Sequence, residues 1–164
     1  MMDQISIDET NRRILDILRN DARTSNAEIA RQVGLTTSAV HERVRKLESR
    51  GIIRGYAAIL APEPLDLRLL AFVGVRISPH REARAVGQAL SGISNVEEVF
   101  HLAGEECFLT KVRCRDTEEL EDLLLTINDI PSVNSTRTII CLRPVKEAPG
   151  PTVPDTITEQ GVPS

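Results

Sequence analysis

The hydrophobic period of this chain changes at one place, the proline-marked stretch "APEPLD" at Ala61–Asp66. Ahead of it, as far as Gly51, apolar residues recur at helical spacing. Beyond it they alternate as in strands, with two helical runs between. A period that switches at a Pro-bearing linker predicts two domains, each burying its own kind of core.

The stripes ahead of the break are Ile14-Leu15-Ile17-Leu18, Ile29-Ala30-Val33 and Val40-Val44-Leu47. Asp8 is a natural N-cap for a first helix reaching about Asn20. The cluster Thr24-Ser25-Asn26 opens a second helix of about two turns, which Gly34 ends. A third runs from near Thr37 to Gly51. Three helices with a glycine between the second and third predict a helix-turn-helix. "IIRGYAAIL", residues 52–60, is short and β-prone, and reads as a small wing or a linking strand.

Beyond the break, "LLAFVGVRI" alternates as a strand and "REARAVGQALSG" is helical to Gly92. "VEEVFHLAG" and "ECFLTKVRC" are two strands around a turn at Gly104. "DTEELEDLLLTIND" starts with an Asp/Thr cap, and "SVNSTRTIICL" is a last strand. The order β-α-β-β-α-β is the ferredoxin-like arrangement. The expected fold class is therefore α+β. A winged helix-turn-helix domain spans 1–60, a linker 61–68, and a ferredoxin-like βαββαβ domain 69–143. The segment 144–164 holds five of the nine prolines and is expected as a disordered or loosely held tail.

Charge follows the same division. Residues 1–60 hold 10 Lys+Arg against 8 Asp+Glu, and residues 61–164 hold 10 against 16, within a net charge of −4. A basic first domain and an acidic second one suggest different partners. No run of 18 or more apolar residues exists, and the acidic N-terminus lacks the apolar core of a secretory signal, so a cytoplasmic protein is expected. The three cysteines, Cys107, Cys114 and Cys141, have no C-x-x-C spacing and read as reduced thiols.

On the third helix, Val40, Val44 and Leu47 fall on one side. Ser38, Glu42, Arg45 and Lys46 fall on the opposite side, with His41 on a flank. A helix in a major groove needs such a mixture: Arg reads guanine, Glu accepts from cytosine, Lys meets phosphate. Thr36, Thr37 and Ser38 sit at the helix start, where free N–H groups favour a phosphate, and Arg54 follows in the wing segment. The expected partner is double-stranded DNA. A helix-turn-helix that binds protein is the alternative, and it lacks the steep salt dependence of phosphate neutralisation.

The segment "IDETNRRILDILRNDARTSNAEIARQVGLTTSAVHERVRKLESRGIIRGYAAIL" resembles the N-terminal pattern of the Lrp/AsnC (feast/famine) transcription regulators. The resemblance lies at Asp8, Ile14-Leu15, Asp21-Ala22-Arg23, Ala30, Gly34-Leu35, Arg43-Val44, Leu47-Glu48, Gly51, Ile53 and Gly55-Tyr56. It resumes in "AFVGVRI", "HLAGEECFLTKVR", "LEDLLL" and "STRTII", covering about residues 7–143. It implies a homo-oligomer, a dimer and often an octamer, whose C-terminal domain responds to a small-molecule effector, often an amino acid. The family's effector site lies around a Gly-x-x-Asp turn at contacts between subunits. That turn is here Gly104-Glu105-Glu106-Cys107-Phe108, with Cys107 where Asp is usual. A neutral thiol does not suit a ligand ammonium group, so Glu105 and Glu106 are the candidates for that charge. Thr110, and Thr136 and Thr138 of "STRT", complete the expected effector site, from the same or a neighbouring subunit. On the third strand Phe108, Val112 and Cys114 share one parity, and Cys107, Leu109, Lys111 and Arg113 the other. The first set suits a helix-covered core, which leaves Leu109 for a dimer contact.

No catalytic, metal or cofactor site is expected. His101 and Cys107 can be drawn as base and nucleophile, and Glu97, Glu98, His101 and Cys107 as metal ligands. No Gly-rich phosphate cradle and no H-E-x-x-H motif accompanies them, and their spacing is not diagnostic.

Overall fold

A computed structural model describes residues 7–79, 82–147, 150, 151 and 153. The chain divides into two compact units, one holding residues 7–59 and the other residues 60–146. The tail expected from Pro144 onward falls largely outside the described residues.

The first unit is built from α1 (Glu9–Asn20), α2 (Asn26–Val33) and α3 (Thr37–Ser49). Each opens on an oxygen that accepts a free backbone N–H of the first turn: Asp8 from Asn11 at 2.7 Å, Ser25 from Glu28 at 3.2 Å, Thr36 from Ala39 at 3.2 Å. α2 ends because Gly34 turns left-handed, with φ 75° and ψ 34°. The N–H groups of Gly34 and Leu35 both close on the Ala30 carbonyl. Only three residues then separate α2 from α3, which sets the two helices at the turn. Ile14, Ile29, Ala30, Val40, Val44 and Leu47 form the core between the three helices.

The expected wing is absent as a strand. No residue from Ile52 to Leu60 adopts strand structure. A strand needs a partner for its backbone polar groups, and the described residues of this unit offer no second strand. Tyr56 instead donates its hydroxyl to Glu48 Oε1 at 2.9 Å, which ties the segment to the end of α3. Burial and the Glu48 carboxylate push the phenol up to about 12.

The second unit runs β1 (Leu69–Ile77), α4 (Ala83–Ser91), β2 (Val96–His101), β3 (Phe108–Cys114), α5 (Thr117–Asn128), β4 (Val133–Cys141). A 3-10 turn at Glu63–Leu65 precedes β1. The sheet is antiparallel in the order β2-β3-β1-β4, the ferredoxin-like pattern. α4 and α5 cover one face. Val86, Leu90, Leu120, Leu123 and Ile127 of the helices pack on Ala71, Val73, Val75, Phe108, Val112 and Cys114 of the strands. The registers Val73↔Thr110, Val73↔Thr138 and Val75↔Thr136 put all three threonines on that same face. The other face carries Phe72, Gly74, Arg76, Leu109, Lys111, Arg137 and Ile139. No element of this unit covers it, and Phe100 and Ile139 stand about half exposed there. β2 bulges between Val96 and Glu98. Both Glu97 and Glu98 then reach Lys111, at 3.1 and 3.6 Å, and Glu97 also meets Arg113 at 2.8 Å.

Gly34 and Gly104 make a contrast the sequence does not show. Gly34 is left-handed. Gly104 is not, and nothing lies within 4 Å of a Cβ added to it. The link it sits in is six residues long, 102–107, rather than a tight reversal. Gly34→Ala should therefore destabilise the first unit by about 1 kcal/mol in urea unfolding, and Gly104→Ala should leave stability within about 0.5 kcal/mol.

Candidate functional site

α3 has a sharply divided surface. Val40 and Leu47 are fully buried and Val44 nearly so, while Thr37, Ser38, His41, Glu42, Arg45 and Lys46 are all exposed. Thr36 is exposed at the helix start, its hydroxyl within 3.1 Å of the Ser38 hydroxyl, and Arg54 is exposed in the segment beyond. His41 Nδ1 stands 3.4 Å from the Asn26 amide of α2. Arg45 and Lys46 carry no ion pair among the described residues. The eight residues singled out for DNA contact thus stand exposed on one unit.

Arg43 is different. By sequence it is one more basic residue of α3, but its guanidinium turns toward α1. Nη1 donates to Asp8 Oδ2 at 2.7 Å and to Asn11 Oδ1 at 3.0 Å. Asp8 is also the N-cap of α1, so one carboxylate both starts α1 and anchors α3. Burial raises the Asp8 carboxyl, but the Asn11 N–H and the Arg43 guanidinium together hold it below its ordinary value. Sequence reasoning missed this tie because the 35-residue separation between the two appears in no periodicity.

The residues expected at an effector site around Gly104 fall on both sides of the sheet. Cys107 is buried in the core at 3% exposure, and its N–H donates to the Val75 carbonyl at 2.9 Å. Thr110 is fully buried and donates its hydroxyl to the Val73 carbonyl at 3.2 Å. Both were expected to line a ligand site, and both belong to the core. Thr110 shares the even parity of Phe108 and Val112, and Cys107 precedes the regular strand, where alternation no longer places it. Glu105 and Glu106 lie at the open face. Glu105 pairs with Arg76 at 2.6 Å and Glu106 with Arg137 at 3.4 Å. The Glu106 side chain lies flat over Gly74, where an added Cβ would stand 2.7 Å from its carboxyl carbon. Thr136 and Thr138 point to the helix-covered face instead, so one subunit does not bring them to Glu106. Gly74, Arg76 and Arg137 were missed, because only strand register sets Gly74 opposite Arg137.

The residues drawn as a metal-binding set lie on two faces of the sheet. Glu97 and Glu98 are held by Lys111 on the open face. His101 stacks on Phe108, ring centroids 4.8 Å apart, on the other.

Two family models cover the chain: the AsnC-type helix-turn-helix domain matches residues 7–48 and the Lrp/AsnC ligand binding domain residues 70–151. The chain belongs to the Lrp/AsnC family of transcriptional regulators. It is 36% identical to HTH-type transcriptional regulator FL11 of Pyrococcus abyssi over 144 residues, 88% of this chain and 95% of that protein. It is 36% identical to the leucine-responsive regulatory protein of Escherichia coli K12 over 147 residues, 87% of this chain and 88% of the other. Among solved structures it resembles AsnC of E. coli, with TM-score 0.81 and 30% identity over 87% of this chain and 97% of that one. It also resembles a feast or famine regulatory protein of Mycobacterium tuberculosis complexed with L-methionine, with TM-score 0.83 and 34% identity over 90% and 99%. This Lrp/AsnC regulator is a DNA-binding transcriptional regulator with a ligand-binding domain.

The Asp8–Arg43 tie joins the start of α1 to the middle of α3. Arg43→Ala and Asp8→Asn should each weaken specific duplex binding several-fold and leave the salt slope unchanged, the double variant being no worse than either single one. The lowered Asp8 carboxyl keeps the tie charged at neutral pH. Its contribution to stability is lost as pH falls through the lowered folded-state value, so Asp8→Asn should flatten part of the acid loss of stability in the first unit.

Proposed function

We propose that the protein binds specific duplex DNA through the outer face of α3 as a homo-oligomer, and that its second unit answers to an amino acid. The observation that carries the DNA reading is the division of α3, whose apolar side is buried and whose opposite side is exposed, mixed in charge and unpaired at Arg45 and Lys46. Arg45 reads a base edge, Glu42 a cytosine or its neighbour, and Lys46 a phosphate. Thr36, Thr37, Ser38, His41 and Arg54 hold the backbone on either side. Titration of duplex DNA at two salt concentrations tests this directly: a slope near zero removes it. Arg45→Ala should cost about 1–3 kcal/mol on the specific site and relax preference there. Lys46→Ala should weaken specific and random duplex alike and lower the salt slope by about 1.

The open sheet face supports assembly. Phe72, Leu109, Phe100 and Ile139 give it an apolar centre that no described element of the second unit covers. A second copy packed there buries that centre and sets two recognition helices about 34 Å apart, one turn of DNA. Leu109→Asp should shift the protein toward monomer in light scattering and weaken operator binding with it.

The effector reading rests on the 104–107 turn, where Glu105 and Glu106 stand beside arginines at the edge of that face. The long 3.4 Å contact to Arg137 leaves Glu106 open to a ligand ammonium group. Thr136 and Thr138 serve the site from a neighbouring subunit. Two structural neighbours, from M. tuberculosis and Neisseria meningitidis, were solved with L-methionine. Calorimetry with the twenty amino acids tests the reading, and silence from all of them at millimolar concentration ends it. A cytoplasmic location fits a DNA-binding regulator whose three cysteines form no disulfide among the described residues.

A further inference from the structure

An open groove of about 770 Å3 lies between α4 and the β2–β3 edge of the sheet, on the face opposite Glu106. α4 contributes Arg84, Gly87, Gln88 and Ser91 to one wall, and the strands contribute His101 and Phe108. The floor is aromatic. The His101 and Phe108 rings stack at 4.8 Å between centroids, inclined by 22°. Gly87 lets α4 pass close over them: a Cβ there would stand 3.2 Å from a Phe108 ring carbon. Ser91 is already used, its hydroxyl donating to the Gly87 carbonyl at 2.8 Å.

The polar rim is one-sided. Arg84 brings a guanidinium, Gln88 an amide and His101 an imidazole. Among the described residues none of these three side chains makes a hydrogen bond or ion pair. Among the described residues no Asp or Glu lines the groove. Three nitrogen-bearing groups without partners, facing one space over an apolar floor, suit a ligand that is all acceptor at one end and flat at the other. An amino acid does not meet that description, because its ammonium group needs an acidic partner and finds none here. A 2-oxo acid does: it offers a carboxylate for the forked guanidinium and a carbonyl oxygen for an amide or ring N–H. Its apolar body can stack on an aromatic ring.

We infer that the α4 groove is a binding site for a 2-oxo acid with an aromatic or branched apolar side chain, its carboxylate on Arg84, its carbonyl oxygen near Gln88 and His101, and its side chain on Phe108. The site is separate from the amino-acid reading of the 104–107 turn and stands without it. No described acid lines the groove, and the turn has two.

Calorimetry of the full chain with phenylpyruvate as probe and L-phenylalanine as control tests this, on the wild type and on Arg84→Gln, Gln88→Glu and Glu106→Ala. Phenylpyruvate should bind the wild type with a Kd of about 1 mM or tighter. Arg84→Gln removes the charge-assisted fork and Gln88→Glu sets a carboxylate against the ligand's own, so each should weaken binding about tenfold or more. Both positions are exposed on a helix surface, so an unchanged melting temperature is expected for the two variants. Glu106→Ala should leave phenylpyruvate binding unchanged even if it abolishes the response to an amino acid, which separates the two sites. No heat from phenylpyruvate up to about 10 mM overturns the inference. So does binding that ignores Arg84→Gln, binding lost in Glu106→Ala, or L-phenylalanine binding as tightly as phenylpyruvate in the Glu106→Ala variant.

Discussion

The covering of one sheet face by α4 and α5 is the constraint on which the second unit depends. Side chains alternate along a strand, so once two helices bury one face, each regular strand position is assigned either to the core or to the open side. Val73, Val75, Phe108, Thr110 and Val112 go under the helices, and Gly74, Arg76, Leu109, Lys111 and Arg137 go to the other side. The same assignment separates the groups able to bind a ligand. Carboxylates and arginines gather on the open face around Gly74, the threonines of β4 lie on the covered one, and the α4 groove forms where the covering helix meets the sheet edge. A site that needs both sets of residues around 104–107 has to be completed by a second subunit.

In the first unit an analogous division acts through one helix. Burial of Val40, Val44 and Leu47 leaves α3 a single exposed side, and four basic residues compete for it in sequence: Arg43, Arg45, Lys46 and Arg50. Arg43 is withdrawn from that set by Asp8 and Asn11. A basic count along a helix therefore overstates the charge offered to an anion. The carboxylate that withdraws Arg43 also begins α1, which couples the start of the first helix to the orientation of the third.

Most of the architecture was legible in the chain. The stripes, Gly34, the caps at Asp8, Ser25 and Asp116 and the change of period at Ala61–Asp66 are local signals, and local backbone chemistry realises them as read. The segment 52–60 was misread for a matching reason: β-propensity is local, but a strand is a pairing, and residues 7–59 supply no other strand. Parity on β3 correctly set Phe108 and Val112 apart from Leu109. Applied to Thr110 it also places that hydroxyl in the core, where the Val73 carbonyl accepts it.

The sequence by itself determined the two domains, the helix-turn-helix, the β-α-β-β-α-β order and the exposed residues of α3, since these follow from spacing along the chain and from groups a few residues apart. Only the tertiary structure decided that Arg43 belongs to α1 and that Glu106 rests on Gly74. It alone decided that Cys107 is core and that Arg84, Gln88 and His101 face one groove. Those pairings reach as far as 35 positions along the chain through strand register and helix packing, and no periodicity in one chain encodes the distance between two side chains that only the folded backbone brings together.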